Sequence, residues 1–495
     1  MTPGLLVIPL IVPLTAAALS IGFAGRRVVQ RVIGLAALAG SAVFSVAMLV
    51  HVDRDGPLVV QAGAWPTPIG ITLVADRTAA LLVAVATLVL LVSLVYAIGF
   101  GGSEREQSAF HPLYLLLAGG ICLAFLTGDL FNLFVGFEVF LMASYALLTL
   151  DGTRAQVRRG ATYIVLGIVT STFFLLAIGF VYAATGTVNL ADLNEKFVGL
   201  PEGIRAGLGV LLLLVFGMKA AVFPLFGWLP DSYPAASTPL AAVFSGLLTK
   251  VGLYALLRTQ TLVVPEGDRQ VALMMVIAAL TMVVGVLGAV GRTDIRGLLA
   301  FHVVSQVGYA VFGIALFSVA GVAGALYFVV HQMVVKTSLF QVAGILERRT
   351  GSTSLSALSG FVRSAPWVSA LFFLSAFSLA GIPPLSGFIG KLALVGAGVA
   401  EGAWVVTGVS LGVGLLTLFS MAKIWSGAFW GDPAEGVAVA PAVEVRGYGV
   451  MVGATAVIVL MGVALGLAAG PAMELCTRAA EDLLDPAGYV KLVLG

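Results

Sequence analysis

Charged residues are scarce in this sequence. Asp, Glu, Lys and Arg make up 10% of its 495 residues, whereas 60% are hydrophobic and the mean hydropathy is +1.09. A soluble domain carries about 25% charged residues because its surface faces water. The deficit excludes a soluble enzyme or binding module of this length and predicts an integral membrane protein. The net charge of +2 gives no reason to expect a nucleic-acid partner.

Cysteines are also few, and the two present are Cys122 and Cys476. Two isolated cysteines form neither a disulfide framework nor a zinc or iron–sulfur ligand set. The sequence has no P-loop and no dinucleotide fingerprint between a strand and a helix. Its N-terminus lacks a basic leader, so we expect the first apolar run to be the first membrane helix. The sequence therefore predicts no cofactor and no bound metal.

Apolar runs, by contrast, are abundant. Stretches of roughly 18 to 25 apolar residues follow one another along almost the whole chain, each long enough to cross about 30 Å of hydrocarbon as a helix. They show no period-two alternation, so they do not indicate a closed β-barrel. We predict an all-α, polytopic membrane bundle of about fourteen helices, with the twelfth, 365–400, broken. Residues 52–76 are a candidate extracytoplasmic hairpin, and 471–495 is either an interfacial amphipathic segment or a frayed end.

Arginine is unevenly distributed between the two sets of loops. Loops after odd-numbered helices carry more of it, as in Arg292 and Arg296 after the ninth helix. Because cytoplasmic loops are enriched in Lys and Arg, we expect these loops in the cytoplasm and both termini outside.

Ionisable residues inside the apolar runs point to function. A charge at the centre of a bilayer costs at least about 2.5–3.5 kcal/mol, so each one needs a reason. The alternative for a single lysine near a helix end, such as Lys250 or Lys423, is that it extends to the headgroups. For an acid and a lysine on two helices, the alternative is a structural ion pair. Lys423 is a further candidate, and the main candidates for a proton path are Glu138, Lys219, Lys250, His331, Lys336 and Lys391.

The number of these residues favours a relay over packing. One acid followed by several bases on successive helices exceeds what helix association needs. Burial weakens the affinity of a lysine for its proton, and a nearby carboxylate strengthens it. With Glu138 beside it, Lys219 would hold a proton. When the carboxylate moves away, that proton would pass to Lys250. Histidine suits such a relay because its unperturbed pKa lies near 6.5.

Two helices are interrupted by proline. Pro224 lies in GMKAAVFPLFGWLP, and Pro383 and Pro384 lie in LAGIPPLSGFIGK. Proline removes a backbone donor, and the freed carbonyls are tolerated in a membrane only where protein or a watery cavity receives them. Two such helices, five apart and each with a lysine near the break, indicate corresponding positions in two repeats. The alternative is two ordinary proline kinks.

Four segments carry a family resemblance: GDLFNLFVGFEVFLMASYALL (128–148), MKAAVFPLFGWLPDSYPAASTPLAAVFSGLLTKVGLYALLR (218–258), HQMVVKTSLF (331–340) and GIPPLSGFIGKLAL (381–394). They resemble the antiporter-like subunits shared by respiratory complex I and Mrp-type cation/proton antiporters. Within that family the sequence motifs are similar to those of the D-type subunits of Mrp Na⁺/H⁺ antiporters. Position 391 is lysine, where M-type complex I subunits usually have glutamate. His331 precedes Lys336 by five residues rather than the four of L-type subunits, which leaves its role open.

The resemblance implies both an architecture and a function. The architecture is fourteen helices with two inverted five-helix repeats, in which helices 7 and 12 are broken. The corresponding divisions are 1–110, 111–260 for the first repeat, 261–430 for the second, and 431–495. The function is proton translocation along the six residues named above, in a cell-membrane hetero-oligomer with A-, B-, C-, E-, F- and G-type subunits that exchanges Na⁺ for protons. The alternatives are a proton-pumping subunit of complex I or of a membrane-bound hydrogenase, and a non-conducting scaffold.

Overall fold

The computed structural model describes residues 3–105, 109–430 and 446–495. The start of the fourth predicted division, 431–445, lies outside these ranges. The first third of the chain forms α1 (Ile8–Gly22), α2 (Arg27–Asp55), α3 (Arg77–Arg105), α4 (Phe110–Leu126), α5 (Leu130–Leu148), α6 (Arg154–Thr185) and α7 (Leu190–Val198). The middle forms α8 (Glu202–Ala220), α9 (Trp228–Ser232), α10 (Thr238–Val243), α11 (Thr249–Arg258), α12 (Val271–Val290), α13 (Ile295–Ala315) and α14 (Val319–Thr350). The last part forms α15 (Phe361–Ser364), α16 (Pro366–Ala380), α17 (Ser386–Ala400), α18 (Trp404–Ile424), α19 (Tyr448–Leu467), α20 (Ala469–Leu484) and α21 (Ala487–Leu494).

Most of these helices are long and apolar enough to cross a membrane. Twelve helices of the described chain satisfy both criteria. Three shorter apolar helices, α4, α16 and α17, lie where the sequence predicts a fourth span and a broken twelfth span. The polytopic helical architecture is confirmed, while the count of fourteen spans stays a prediction.

A two-stranded hairpin joins α2 to α3. Strands β1 (Leu58–Gln61) and β2 (Thr72–Ala75) pair antiparallel, with Leu58 opposite Ala75. The Thr72 hydroxyl donates to the side-chain carbonyl of Gln61 at 2.8 Å. The hairpin predicted within 52–76 is confirmed, and its location outside the cell stays a prediction.

The core is built around α14. This helix is buried along almost its whole length and contacts α3, α10, α13, α16, α17, α19 and α20. Its sequence lacks a polar face, which is what a helix surrounded by other helices requires. In contrast, α6 exposes most of its outer surface. His331 and Lys336 of α14 therefore lie deep inside the protein.

The helix that contains Lys250 is not a uniform α-helix. It runs from Thr238 to Val263 and contains π-helical turns at Phe244–Leu248 and Thr259–Val263. Such turns occur frequently at functional sites. A Cβ atom at Gly246 would lie 2.2 Å from the Thr337 hydroxyl, so glycine lets the first π-turn touch α14. Propensity and hydropathy predict a helix here but carry no signal for its π-turns.

The same helix connection occurs twice in the fold. Asp129 caps α5 and Asp294 caps α13, each accepting a backbone N–H with its carboxylate. The helices that follow them, α6 and α14, end at the left-handed glycines Gly186 and Gly351. These matched caps support the predicted pair of repeats at 111–260 and 261–430.

Backbone hydrogen bonds close both connections in the same way. The N–H of Leu130 donates to the carbonyl of Val188 at 2.8 Å, and that of Ile295 donates to Thr353 at 2.9 Å. In both connections the same number of residues separates the donor from the acceptor. The inverted relation of the two repeats stays a prediction.

The C-terminal segment is folded, so the interpretation as a frayed end is wrong. Helix α20 packs against α14 and α3, and α21 packs against α7. Arg77 donates to Asp482 of α20 at 2.8 Å, and Arg478 donates to Asp53 at 2.8 Å. Charged residues on one side and buried Cys476 and Leu483 on the other make α20 an amphipathic helix.

A buried ion pair joins α11 to the start of α3. Arg258 lies 2.6 Å from Asp76, with side-chain exposures of 5% and 8%. The guanidinium also contacts the rings of Tyr254 and Tyr489. In the sequence Arg258 stands at the end of an apolar run, as a loop arginine does, and nothing there reveals its partner far away in the chain.

We expect Arg258→Met to destabilise the protein strongly. The change would leave the Asp76 carboxylate buried without its partner, which costs about 3–5 kcal/mol. The yield of folded, monodisperse protein in detergent and its thermal midpoint measure the loss. The double variant Asp76→Asn with Arg258→Met should recover part of it, and equal stability of the single variant and wild type would contradict the expectation.

Candidate functional site

Three side chains from three helices form a hydrogen-bonded chain. Glu138 of α5 accepts a hydrogen bond from the Ser171 hydroxyl of α6. Lys219 of α8 donates to the same hydroxyl, with its Nζ 2.9 Å from Ser171 Oγ. The sequence predicts proximity of Glu138 and Lys219, and the structure inserts Ser171 between them. A hydroxyl can accept from an ammonium and donate to a carboxylate at once, so it can pass a proton between the two.

Lys219 lies in the last turn of α8, at a break in the helix. The helix ends at Ala220, and Ala221 adopts a left-handed conformation with φ of +64°. Pro224 lies in the non-helical segment before α9. The indole N–H of Trp228 donates to the carbonyl of Met218 at 3.1 Å, so protein receives a carbonyl freed by the break.

A small pocket opens beside Lys219. Its walls are aromatic and apolar, including Phe137, Tyr163 and Trp228. The Lys219 ammonium lies 5.5 Å from the centroid of the Phe137 ring, a distance at which the ring face attracts a cation. The ammonium is therefore held by a hydroxyl and a ring rather than by a direct ion pair.

Lys250 lies next to the first π-turn. It is 2% exposed, and its Nζ donates to the backbone carbonyl of Ser245 at 2.5 Å. A Cβ atom at Gly252 would lie 2.5 Å from the Ala220 backbone nitrogen, so this glycine allows α11 to touch α8 beside Lys219. The helix of Lys250 thus packs between that of Lys219 and that of Lys336.

Lys336 is the most isolated of the predicted charges. It is 0% exposed, and its Nζ has no hydrogen-bond partner among the described residues. The charges of Lys250 and Lys391 act on it. His331, on the same helix, uses Nδ1 for a 2.9 Å hydrogen bond with the Ser386 hydroxyl, and its Nε2 is unpartnered within the described chain.

Lys391 lies beyond the second break. Helix α16 ends at Ala380, Pro383 and Pro384 follow, and α17 begins at Ser386. The Lys391 ammonium reaches back to the carbonyls of Leu379 and Ala380 at 3.0 and 2.9 Å. A pocket lined by Tyr309, Ile382 and Phe388 adjoins it. We call Lys219, Lys250, Lys336 and Lys391 the lysine row.

Two further polar residues near helix ends have structural roles. Lys423 donates to the carbonyls of Val290 and Arg292 at 2.9 and 2.7 Å, so it caps the end of α12. Asp129 accepts from the backbone of Asn132 at 2.7 Å and caps α5. Within the described ranges, no three His, Cys, Asp or Glu residues are arranged to hold a metal ion.

Sequence reasoning misses Ser171, because serine in a membrane helix is usually a helix–helix contact. The repeated connection offers a signal for it. Ser171 stands as many residues after Asp129 as Lys336 stands after Asp294. Alignment of the two halves would therefore have placed Ser171 opposite a member of the lysine row.

Comparisons with known proteins show which proteins this chain is similar to. The transmembrane family model described as NADH:quinone oxidoreductase/Mrp antiporter matches residues 127–417. A D-type subunit of a Na⁺/H⁺ antiporter from Alkalihalophilus pseudofirmus is 41% identical, covering 99% of both chains. A chain from the structure of an Mrp complex of a Dietzia species superposes with a TM-score of 0.94 at 34% identity, covering 100% of both chains.

A redox complex also contains a similar subunit. A chain of the membrane-bound sulfane sulfur reductase, an archaeal respiratory membrane complex, superposes with a TM-score of 0.88 at 26% identity over 99% of both chains. The matched region, 127–417, includes every predicted site residue, from Glu138 to Lys391. The chain is thus a multi-pass membrane protein that belongs to the transmembrane family of NADH:quinone oxidoreductases and Mrp antiporters.

Proposed function

We propose that this chain is the D-type, proton-translocating subunit of an Mrp-type Na⁺/H⁺ antiporter in the cell membrane. It would work in a hetero-oligomer with A-, B-, C-, E-, F- and G-type subunits. The observation that carries the proposal is the series of hydrogen bonds from Glu138 through Ser171 to Lys219, which adjoins a row of buried lysines. Such a row is far more than packing requires, because each charge in a membrane interior is unfavourable.

The three-residue chain acts as the switch. With Ser171 bonded on both sides, the carboxylate of Glu138 stabilises the protonated form of Lys219 through the hydroxyl. When the hydroxyl turns away, that stabilisation is lost and Lys219 releases its proton. The neighbouring base is Lys250, because α11 touches α8 at Gly252.

The remaining row carries the proton through the centre of the protein. Several polar atoms of α11, α13 and α14 are buried without a protein hydrogen-bond partner, and they include Thr249 Oγ1, Gln306 Nε2 and Lys336 Nζ. Buried polar groups are satisfied by water when protein does not reach them. Water among these groups would join Lys250, Lys336, His331 and Lys391 into one path.

The proposal makes this chain part of a secondary transporter rather than an enzyme. A proton crossing 100 mV releases about 2.3 kcal/mol, which is sufficient to drive sodium extrusion. The chain's residues are proposed to move the proton only. The second candidate, a proton-pumping subunit of a redox complex, is favoured by the likeness to the sulfane sulfur reductase chain.

Ion flux tests the proposal. All subunits would be expressed in cells without their own Na⁺/H⁺ exchangers, with and without this chain, and everted vesicles would be loaded with a proton gradient. We expect added Na⁺ to dissipate the gradient only when this chain is present. Proton uptake that follows an electron donor and ignores Na⁺ would support the redox candidate instead.

Replacing Ser171 tests the proposed switch. We expect Ser171→Ala to slow Na⁺/H⁺ exchange about 10-fold or more, because proton transfer by a positioned group contributes factors of 10²–10⁴. Ser171→Thr keeps a hydroxyl and is the matched control, with most of the activity retained. Exchange rates are compared at equal amounts of assembled complex, and normal exchange by Ser171→Ala would remove Ser171 from the switch.

A further inference from the structure

A second buried histidine lies outside the predicted path. His302 of α13 is 0% exposed. It lies about 10 Å along the helix axis from Ile295, the first residue of α13. Its Nε2 is 2.5 Å from the hydroxyl oxygen of Ser420 on α18. Its Nδ1 has no hydrogen-bond partner among the described residues.

The tautomer of His302 that lets both hydrogen bonds of Ser420 form has its proton on Nε2. The Ser420 hydroxyl has a single proton, and its oxygen lies 2.9 Å from the carbonyl of Thr417. When the hydroxyl donates to that carbonyl, its oxygen accepts from Nε2 of His302. In the neutral ring, the free lone pair is then on Nδ1, which is buried and available to accept a proton.

His302 lies between the lysine row and one surface of the protein. On one side, α13 packs against α14, which carries Lys336, and Tyr309, about two turns along α13 from His302, has its ring centroid 5.3 Å from the Lys391 ammonium. On the other side, Ser420 is about one helical turn from Lys423. The Lys423 ammonium contacts the carbonyl of Arg292 in an exposed position at the end of α12. The sequence predicts that this end faces the cytoplasm.

We propose that His302 and Ser420 form a side branch through which the lysine row exchanges protons with water at the α12–α13 loop. The inference rests on the proposed function, since it adds an exit to that proton path. A proton from the row binds Nδ1 and gives an imidazolium ion. The Nε2 proton then passes to the Ser420 oxygen, while the Ser420 hydroxyl turns from the Thr417 carbonyl and gives its own proton to water on the side of the α12–α13 loop. One proton enters and one leaves, and the ring is reset when the Nδ1 proton returns to Nε2.

Substitution by glutamine separates this role from a structural one. In His302→Gln, an amide N–H replaces the Nε2–H and can keep the hydrogen bond to Ser420, but an amide cannot take up a proton. We expect Na⁺/H⁺ exchange by the complete complex to fall at least 10-fold in His302→Gln and equally in His302→Ala. If the histidine were only structural, His302→Gln would keep normal exchange, and the branch would be overturned.

A second pair of variants covers the case in which His302→Gln does not assemble. Ser420→Ala removes the acceptor of the ring proton, whereas Ser420→Thr keeps a hydroxyl. We expect slower exchange in Ser420→Ala alone, and equal rates in the two variants would overturn the branch.

Glu138→Gln, assayed in the same vesicles, distinguishes failure of the branch from failure of the proposed function. If Glu138→Gln abolishes exchange while His302→Gln and Ser420→Ala are normal, the branch is wrong and the proposed function stands. If all three variants exchange ions normally, the proposed function fails and the branch fails with it.

Discussion

Complexes that carry Glu138→Gln or Lys219→Met are expected to lose Na⁺/H⁺ exchange down to the rate of vesicles without the complex. Each change removes one of the two residues that Ser171 joins by hydrogen bonds. Without the carboxylate, Lys219 has no anion to stabilise its protonated form, and without the ammonium no proton is held at the entrance to the lysine row. The measurement is Na⁺-dependent dissipation of a proton gradient at matched amounts of assembled complex.

A lysine outside the bundle interior provides the control. Lys196 of α7 is 43% exposed in its side chain and pairs with Asp192 at 3.0 Å. Lys196→Met leaves Asp192, whose side chain is 11% exposed, without this partner, so some stability is lost, but at matched amounts of assembled complex the variant should exchange ions normally. Normal exchange in Glu138→Gln or Lys219→Met would show that the pair only joins helices.

The double variant adds a test of coupling. Where a single variant keeps exchange above the background, Glu138→Gln with Lys219→Met should be no slower than that variant if the two residues act as one switch, because residues that act as a unit are not additive. Multiplied losses would mean that the residues serve two separate steps. Assembly yields of all three variants, measured by subunit stoichiometry after purification, show whether the loss arises from transport itself.

The sequence predicts the architecture well, for a physical reason. Membrane helices need long apolar runs, and each charge within one is conspicuous against that background. The structure places Glu138 and Lys219 on either side of one hydroxyl, and it buries Lys250 and Lys336. Their roles in transport remain proposals. The prolines at 224, 383 and 384 lie at helix interruptions, since proline cannot continue the backbone pattern.

Features that depend on tertiary contacts are not predictable in this way. The amphipathic helix α20 is one of two interpretations that the sequence leaves open, because its charges become informative only with Asp53 and Arg77 beside them. The residues of the π-turn beside Lys250 do not differ in type from those of an ordinary α-helix, so the sequence does not indicate the turn. Lys423 has the same apolar surroundings in sequence as the lysine row, and only the nearby end of α12 shows that it is a cap.

Polar residues that are common in helices are the second kind of feature that the sequence does not single out. Ser171 and His302 differ from many neutral or weakly polar residues in the sequence only by what lies opposite them. Hydropathy gives a serine little weight, although here its hydroxyl joins an acid to a base. The internal repeat would have identified Ser171, whereas His302 becomes noticeable only through the hydrogen bonds of Ser420.

Lys336→Met is expected to abolish exchange and, at the same time, to leave the folded protein as stable as wild type or more stable. Lys336 is fully buried, and its ammonium has no hydrogen-bond partner in the described chain. Removing an ion from water costs several kcal/mol, and no carboxylate offsets that cost at this position. Methionine has a similar length and fills the same space without a charge. A residue whose removal stabilises the protein has no structural reason to be there, so its reason must be transport.

Two measurements on the same preparation decide this prediction, namely the thermal midpoint in detergent and the exchange rate after reconstitution. Arg258→Met is the matched comparison, because it also replaces a buried cation in an apolar environment but separates Arg258 from Asp76. We expect the midpoint to fall in Arg258→Met and to hold or rise in Lys336→Met. A lower midpoint in Lys336→Met would mean that water or a partner subunit pairs the ammonium in the native protein. Normal exchange in that variant would remove Lys336 from the proton path, whatever its stability, and would direct any transfer from Lys250 to Lys391 through His331 alone.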